Sequence, residues 1–285
     1  MGRDLEMSEG NPKSGQYHGK LKAVILDWAG TTVDHGSLAP VRTMQKVFAQ
    51  RNLQVEETEI RRHMGLAKRH HLSAILCCTP KVRDEWTRLH GCAPREGDVE
   101  ALYREFIPLQ FSCLLEFSAI IPGVVEAAER FRRRGLKIGT TTGYTREMLD
   151  LLVEAGKKAG YIPDCNLAPG DVGSGRPHPY MIYENAVRLE VYPMAAIAKI
   201  GDTPADVEEG RNAGTWSIGV AATGNMVGLS YQDFHALSLP EREARLIAAR
   251  AELRKAGAHY VVDSLAEADA VLEDIDARLK SAETP

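Results

Sequence analysis

Two aspartates stand where short apolar runs stop. Asp27 follows Leu21 to Leu26 and opens onto Trp28-Ala29-Gly30-Thr31-Thr32, and Asp202 follows Ala195 to Gly201 and opens onto Thr203-Pro204-Ala205-Asp206. Runs of this length are too short to cross a membrane and suit strands covered on both faces. A carboxylate at the carboxyl end of such a strand faces the crevice where open parallel sheets bind ligands, which favours chemistry over a turn cap. The basic pairs Arg61-Arg62 and Lys68-Arg69 offer local positive charge to an anionic small molecule.

Those residues need elements that hold them along one edge of a sheet. Leu38 to Asn52 places Val41, Met44, Val47 and Phe48 on one helical face, with Pro40 in the first turn. From there to Cys113 the chain has helical periodicity, carried by Trp86, Leu89, Leu102, Tyr103 and Phe106, and no convincing strand. Ile120-Ile121-Pro122-Gly123 ends this helical insertion in a turn before the amphipathic helix Val124 to Arg134. Leu136 to Thr142 reads as a strand ending in hydroxyls, with Thr145 as N-cap of a helix carrying Met148, Leu151, Leu152 and Ala155. A Gly- and Pro-rich loop, Ala168 to Pro179, leads to a helix over Tyr180 to Leu189 and then to the strand Ala195 to Ile200. A helix around Val207 to Asn212, a strand Thr215 to Val220, a connecting helix within 240–256 and a strand–helix unit from His259 to Leu279 complete the chain.

The alternation predicts an α/β fold, a doubly wound parallel sheet of Rossmann type over 21–37 and 118–285, interrupted by an all-helical domain over 38–117. Residues 1–20 are polar, lack the apolar stretch of a secretory signal and read as a loose tail. A formal net charge of −4 over 285 residues calls for neither nucleic acid nor an anionic membrane. Five cysteines form no C-x-x-C pair and no zinc-type pattern, which predicts reduced thiols in the cytoplasm.

Four separated segments resemble the haloacid dehalogenase-like phosphotransferase superfamily and, within it, the phosphonatases, which break carbon–phosphorus bonds. Asp27-Trp28-Ala29-Gly30-Thr31-Thr32 resembles the nucleophile motif and Thr142-Gly143-Tyr144 the phosphate-binding strand end. Arg176-Pro177-His178-Pro179 resembles the basic motif and Gly201-Asp202-Thr203-Pro204-Ala205-Asp206 the metal motif. The resemblance implies that 38–117 is a cap domain, that the protein is a homodimer joined through its caps, and that Mg2+ is bound by Asp27, Asp202 and the carbonyl of Ala29. Some relatives carry cysteine where this chain has Ser37. Attack of a carboxylate on phosphorus requires the substrate's charge to be offset, which a divalent metal and positioned donors supply. Thr142 with the amides of Gly143 and Tyr144 would give neutral donors, and Arg176 a charged fork. Asp206 stands behind the metal site or charges a helix N-terminus.

Ala29 is the informative departure. Phosphatases of the superfamily place there a second aspartate that protonates an alkoxide leaving group, and a methyl group cannot. A carbon leaving group needs an electron sink instead, which a protonated lysine imine provides. The segment Met64-Gly65-Leu66-Ala67-Lys68-Arg69-His70-His71 resembles the family's Schiff-base segment, with Lys68 at the imine position. If the segment is helical, Met64, Lys68 and His71 share one face, Met64 shaping the pocket and His71 assisting proton transfer. Burial would lower the Lys68 pKa and favour the amine that attacks an aldehyde. The expected reaction converts phosphonoacetaldehyde and water to acetaldehyde and phosphate. The other reading is an Mg-dependent phosphatase for a substrate with a good leaving group and no imine chemistry.

Overall fold

The computed structural model describes residues 17–285. Of the expected tail over 1–20, residues 1–16 lie outside the described residues, and 17–20 form neither helix nor strand.

The first strand, β1 (Ala23–Leu26), is buried throughout. Val24 and Leu26 pack into one apolar cluster and Ala23 and Ile25 into another, so both faces are covered and the run has no polar alternation. It is followed by β2 (Lys137–Thr141), β3 (Cys165–Leu167), β4 (Ile197–Gly201), β5 (Trp216–Val220) and β6 (Tyr260–Val262). The sheet order is β3-β2-β1-β4-β5-β6, with every pair parallel. Strand order reverses between β1 and β4, and at such a switch the crossovers leave in opposite directions and open a crevice at the carboxyl ends. Leu26 is level with Thr140 on one side and Ile200 on the other, so Asp27 leaves the sheet beside Thr141 and Gly201. The Asp27 amide still donates to the Ile200 carbonyl at 2.9 Å, which carries the ladder one residue past the strand.

Six α-helices lie between β1 and β2, and the first five belong to the insertion: α1 (Leu38–Ala49), α2 (Glu57–Arg62), α3 (Lys68–Ser73), α4 (Pro80–His90) and α5 (Glu96–Leu114). Their apolar faces meet one another, burying Phe48, Ile60, Trp86, Leu102 and Phe106. The core helices are α6 (Val124–Arg133), α7 (Arg146–Lys158), α8 (Tyr180–Arg188), α9 (Pro204–Asn212), α10 (Tyr231–Ala236), α11 (Leu239–Lys255) and α12 (Ala268–Lys280). Thr145 caps α7 as expected, its hydroxyl accepting from the Met148 amide. The parallel sheet and its alternating helices are those expected. Two elements go beyond expectation. β3 is three residues long with Asn166 at its centre, too short and too polar to show an apolar run, and α10 is a six-residue helix without periodicity.

Trp28 ties the nucleophile-like segment to the fold. Its indole is fully buried, packs edge-on against Tyr161 with centroids 5.5 Å apart, and donates from Nε1 to Thr140 Oγ1 at 3.0 Å. Trp28→Ala would remove the hydrogen bond and leave a large void, lowering unfolding free energy by about 3–5 kcal/mol. Trp28→Phe keeps most of the volume and is expected to cost about 1–2 kcal/mol. Urea denaturation of both variants checks the ranking, and equal losses would refute the packing account.

Candidate active site

The crevice between β1 and β4 is organised by one guanidinium. Arg176, on the loop before α8, donates from Nη2 to Asp27 Oδ1 at 2.7 Å and to Thr141 Oγ1 at 2.7 Å, and from Nε to Glu209 Oε2 at 3.0 Å. The same Nη2 lies 3.0 Å from Asp206 Oδ1. Lys199, which enters from the middle of β4, donates to Thr141 Oγ1 at 2.8 Å and pairs with Asp206 Oδ1 at 2.8 Å. All of these side chains are buried. Asp206 sits at the N3 position of α9, its carboxylate accepting from the Thr203 hydroxyl at 2.6 Å in a capping box. Burial pushes its carboxyl up, but Arg176 and Lys199 outweigh that and hold it below its ordinary value. Arg176 stays charged, because Asp206, Asp27 and Glu209 together overcome its own desolvation.

Asp27 and Asp202 behave differently. Burial raises the Asp27 carboxyl despite Arg176, and Asp206 adds to the rise. Burial raises Asp202 well above the carboxylate range, with Asp27 and Asp206 contributing repulsion. Asp202 accepts from the Asn225 amide at 2.7 Å and from Ser37 Oγ at 3.2 Å, and its other oxygen faces Thr31 Oγ1 at 3.5 Å. Asp27, Asp202 and Asp206 each present an oxygen within 4.8 Å of the others. Four buried carboxylates, Glu209 included, face the side chains of Arg176 and Lys199, and the repulsion falls on the two strand-end acids. A hard divalent cation, which takes carboxylate oxygens, fits this donor set and would relieve that repulsion.

Lys68 comes from the insertion. It opens α3 and is 5% exposed, yet forms no ion pair among the described residues. Its Nζ lies 4.5 Å from the centre of the Tyr144 ring, over the face. Burial lowers its pKa to about 8, an effect that Asp27 partly opposes and Arg176 reinforces. Lys68 lines a cavity of about 20 Å³ together with Asp27, Met64, Thr142, Tyr144 and Arg176. Ala29, Ser37, Pro40, Gly65, Gly143 and Thr203 complete that wall. Space of this size holds about one water molecule. A larger space of about 420 Å³ begins on the other side of Lys68 and Tyr144 and is bordered by Arg69, Tyr103 and Arg146.

The expected helical face of Met64, Lys68 and His71 requires correction. Gly65 takes φ +91 in a turn, so the helix starts only at Lys68, and Met64 reaches the cavity from the turn instead. His71 is buried, donates from Nε2 to the Ile60 carbonyl at 2.7 Å, and has no hydrogen-bond partner at Nδ1 among the described residues. Burial, with Lys68 nearby, pushes its pKa down to about 3, so the ring is neutral. One member of each basic pair is not free for an anion. Arg61 is spent on backbone carbonyls of the core, and Arg69 pairs with Glu96 and Glu100. Tyr144 contributes its ring as well as the expected amide, which donates to Thr142 Oγ1 at 3.2 Å.

Sequence reasoning missed Lys199, Glu209 and Thr141. The signal for Lys199 was a lone charge inside the otherwise apolar run Ala195 to Ile200, and Glu209 lies one helical turn after Asp206 on the same face. Ser37, left without a role, donates to Asp202.

Comparison with known proteins agrees with this geometry. The model of the haloacid dehalogenase-like hydrolases matches residues 21–214. The chain is 44% identical over 269 residues to a phosphonoacetaldehyde hydrolase of Nitratidesulfovibrio vulgaris, covering 94% of this chain and 96% of that one. A phosphonoacetaldehyde hydrolase of Syntrophobacter fumaroxidans is 42% identical over 269 residues, with 94% and 97% covered. The crystal structure of a phosphonoacetaldehyde hydrolase-like protein from Oleispira antarctica superposes with a TM-score of 0.93 at 37% identity, over 97% of this chain and all of that one. The chain therefore belongs to the haloacid dehalogenase-like hydrolases and, among them, to the phosphonoacetaldehyde hydrolase family.

Proposed function

We propose that this protein hydrolyses the C–P bond of phosphonoacetaldehyde to acetaldehyde and phosphate, with 38–117 acting as a cap over the core and Mg2+ held by Asp27, Asp202 and the Ala29 carbonyl. The observation that carries the reading is a buried lysine with no ion pair among the described residues, on the wall of the same small cavity as the strand-end carboxylate. When bound, the metal would offset the charge of the phosphonate and of Asp27.

The protein's own residues supply the remaining chemistry. Neutral Lys68 adds to the aldehyde, one proton is taken up from solvent and water departs, leaving a protonated imine. Asp27 attacks phosphorus, the C–P bond breaks, and its electron pair enters the imine system to form an enamine. Protonation at carbon and hydrolysis of the resulting imine release acetaldehyde and return Lys68. Water then cleaves the aspartyl-phosphate. Arg176 and the Thr142, Gly143 and Tyr144 donors hold the phosphoryl oxygens, and Arg176 keeps Asp27 oriented and favours its ionised form against burial. Met64 keeps water from the imine. His71, neutral and donating to Ile60, leaves Nδ1 as a proton acceptor rather than an acid. Ala29, lacking a carboxyl, suits a carbon leaving group that takes no proton on oxygen. A cavity with room for about one water cannot admit the substrate, so the cap must lift for entry and close for chemistry.

The same reading places the enzyme in the cytoplasm and joins two copies through the caps. All five cysteines are unpaired, and among the described residues no helix is long and apolar enough to cross a membrane. Trp86 and Phe106 are used inside the insertion, leaving exposed Leu115 and half-buried Leu89 to meet a partner. Sedimentation equilibrium is expected to give twice the 31.3 kDa chain mass. A strictly monomeric species at micromolar concentration would remove the dimer from the proposal.

Borohydride reduction in the presence of phosphonoacetaldehyde and Mg2+ is the deciding experiment. A reduced two-carbon adduct mapped to Lys68, with acetaldehyde and phosphate in the untreated reaction, is the expected result. Lys68→Ala should lose activity by at least on the order of a thousandfold while still binding phosphate. Mg-dependent phosphate release without an adduct would favour the ordinary phosphatase reading.

The rate of reductive labelling of Lys68 by acetaldehyde and borohydride should also depend on pH. Only the unprotonated amine adds to a carbonyl, so labelling climbs as pH rises toward about 8 and levels above it. A midpoint at the ordinary lysine value of 10.5 would refute the burial account.

A further inference from the structure

Arg61 lies outside the cavity, yet makes more contacts across the boundary between insertion and core than a surface arginine needs. From α2 its Nη1 donates to the Gly36 carbonyl at 2.8 Å and to Asn225 Oδ1 at 3.1 Å, and its Nη2 donates to the Gly228 carbonyl at 3.0 Å. Asn225 answers by donating from Nδ2 to the Arg61 carbonyl at 3.0 Å. Glu57 fixes the guanidinium from behind, accepting from Nε at 2.6 Å, and the side chain is only 11% exposed. Asn225 in turn gives its backbone amide to Asp202 at 2.7 Å. The chain therefore runs without a gap from the helical insertion, through Arg61 and Asn225, to an acid of the site.

The fit is close. A Cβ on Gly228 would stand 2.7 Å from the guanidinium carbon, so the loop approaches Arg61 where only glycine leaves room. Arg61 also lies three residues before Met64 and seven before Lys68, on the stretch that must move if the cavity opens. Carbonyl acceptors need a planar fork of donors at fixed angles, which arginine offers and lysine does not. Resting on the cap reading above, we propose that Arg61 is a positioning residue that latches the insertion onto the core and, through Asn225, aligns Asp202 in the closed arrangement.

Amide hydrogen exchange and kinetics on Arg61→Ala, Asn225→Ala and the double variant test this. Expected is a roughly tenfold or greater rise in exchange confined to 61–73 and 222–230, with the strands unchanged. Phosphonoacetaldehyde turnover should fall about tenfold to a hundredfold in kcat/KM. Because the two residues act as one contact, the double variant should lie within about twofold of the worse single one. Arg61→Lys, which keeps the charge but not the fork, should resemble Arg61→Ala. Exchange unchanged in both segments, exchange raised equally through the sheet, losses that multiply in the double variant, or restoration by lysine would each overturn the latch. If Arg61→Ala does not fold, Asn225→Ala carries the same exchange test. Exchange is read without substrate, so a latch that holds in a protein releasing no acetaldehyde would count against the assigned reaction and not against the latch.

Discussion

The site depends on a charge imbalance that burial makes expensive. Arg176 and Lys199 share the oxygens of Asp27, Asp206 and Glu209 through one hydroxyl, Thr141, which accepts from both cations and donates to Glu209 Oε2 at 3.0 Å. Charges removed from water are tolerated only when paired and hydrogen-bonded, and here each carboxylate of the inner cluster places an oxygen on a cation, although Glu209 Oε1 has no hydrogen-bond partner among the described residues. Asp206, paired with both cations, is consequently held ionised, while Asp27, paired with Arg176 alone, and Asp202, with no ion pair among the described residues, are raised. The fold concentrates negative charge where β1 and β4 part. Structural satisfaction of the rear of the cluster and chemical readiness at its front are thus the same arrangement.

Closure by the insertion supplies the complementary imbalance. Lys68 is desolvated in the space above Asp27 with an aromatic face as its nearest stabilising contact, so its proton is loosely held. That condition exists only while the turn 64–67 covers the crevice. A Cβ on Gly143 would stand 2.5 Å from the Leu66 carbonyl, so strand end and turn meet backbone to backbone. Arg176 Nη1 reaches the Gly65 carbonyl at 3.5 Å, a long contact by which the residue orienting Asp27 also meets the covering turn. On the proposed cap reading, opening would rehydrate Lys68 and return its pKa toward the ordinary lysine value, so the lowered pKa belongs to the covered arrangement rather than to the residue.

Local pattern carried the sheet and most helices because two-sided burial writes continuous apolar runs, as in Ala23–Leu26 and Ile197–Gly201, and amphipathic packing writes a helical period. The strand-end acids were legible for the same reason: a charge that terminates a buried run has few places to go. β3 was illegible because a three-residue strand beside β2 takes its stability from pairing rather than from its own side chains. The helical face assumed for Met64 failed on Gly65, where one left-handed residue breaks the segment without moving its side chains off the cavity. Lys199, Glu209 and Arg61 were hidden more deeply. Apart from Glu57, four residues before Arg61, their partners are 7 to 167 residues away, and no window of sequence contains both ends of contacts such as Arg61 to Gly228.

Arg61 and Arg176 show why composition alone misleads about anion binding. Arg61-Arg62 and Lys68-Arg69 look like a positive patch, yet Arg61 is consumed by carbonyls and Arg69 by glutamates, while Arg176 stands alone in a Gly- and Pro-rich loop and holds the reactive carboxylate. A cation's role follows from which acceptors the fold presents to it. Carbonyls in fixed directions make an arginine a fastener, exposed carboxylates make it surface pairing, and a buried carboxylate at a strand end makes it part of the chemistry. In this protein all three uses lie within one sheet edge and its cover, and only the last lines the cavity shared with Lys68.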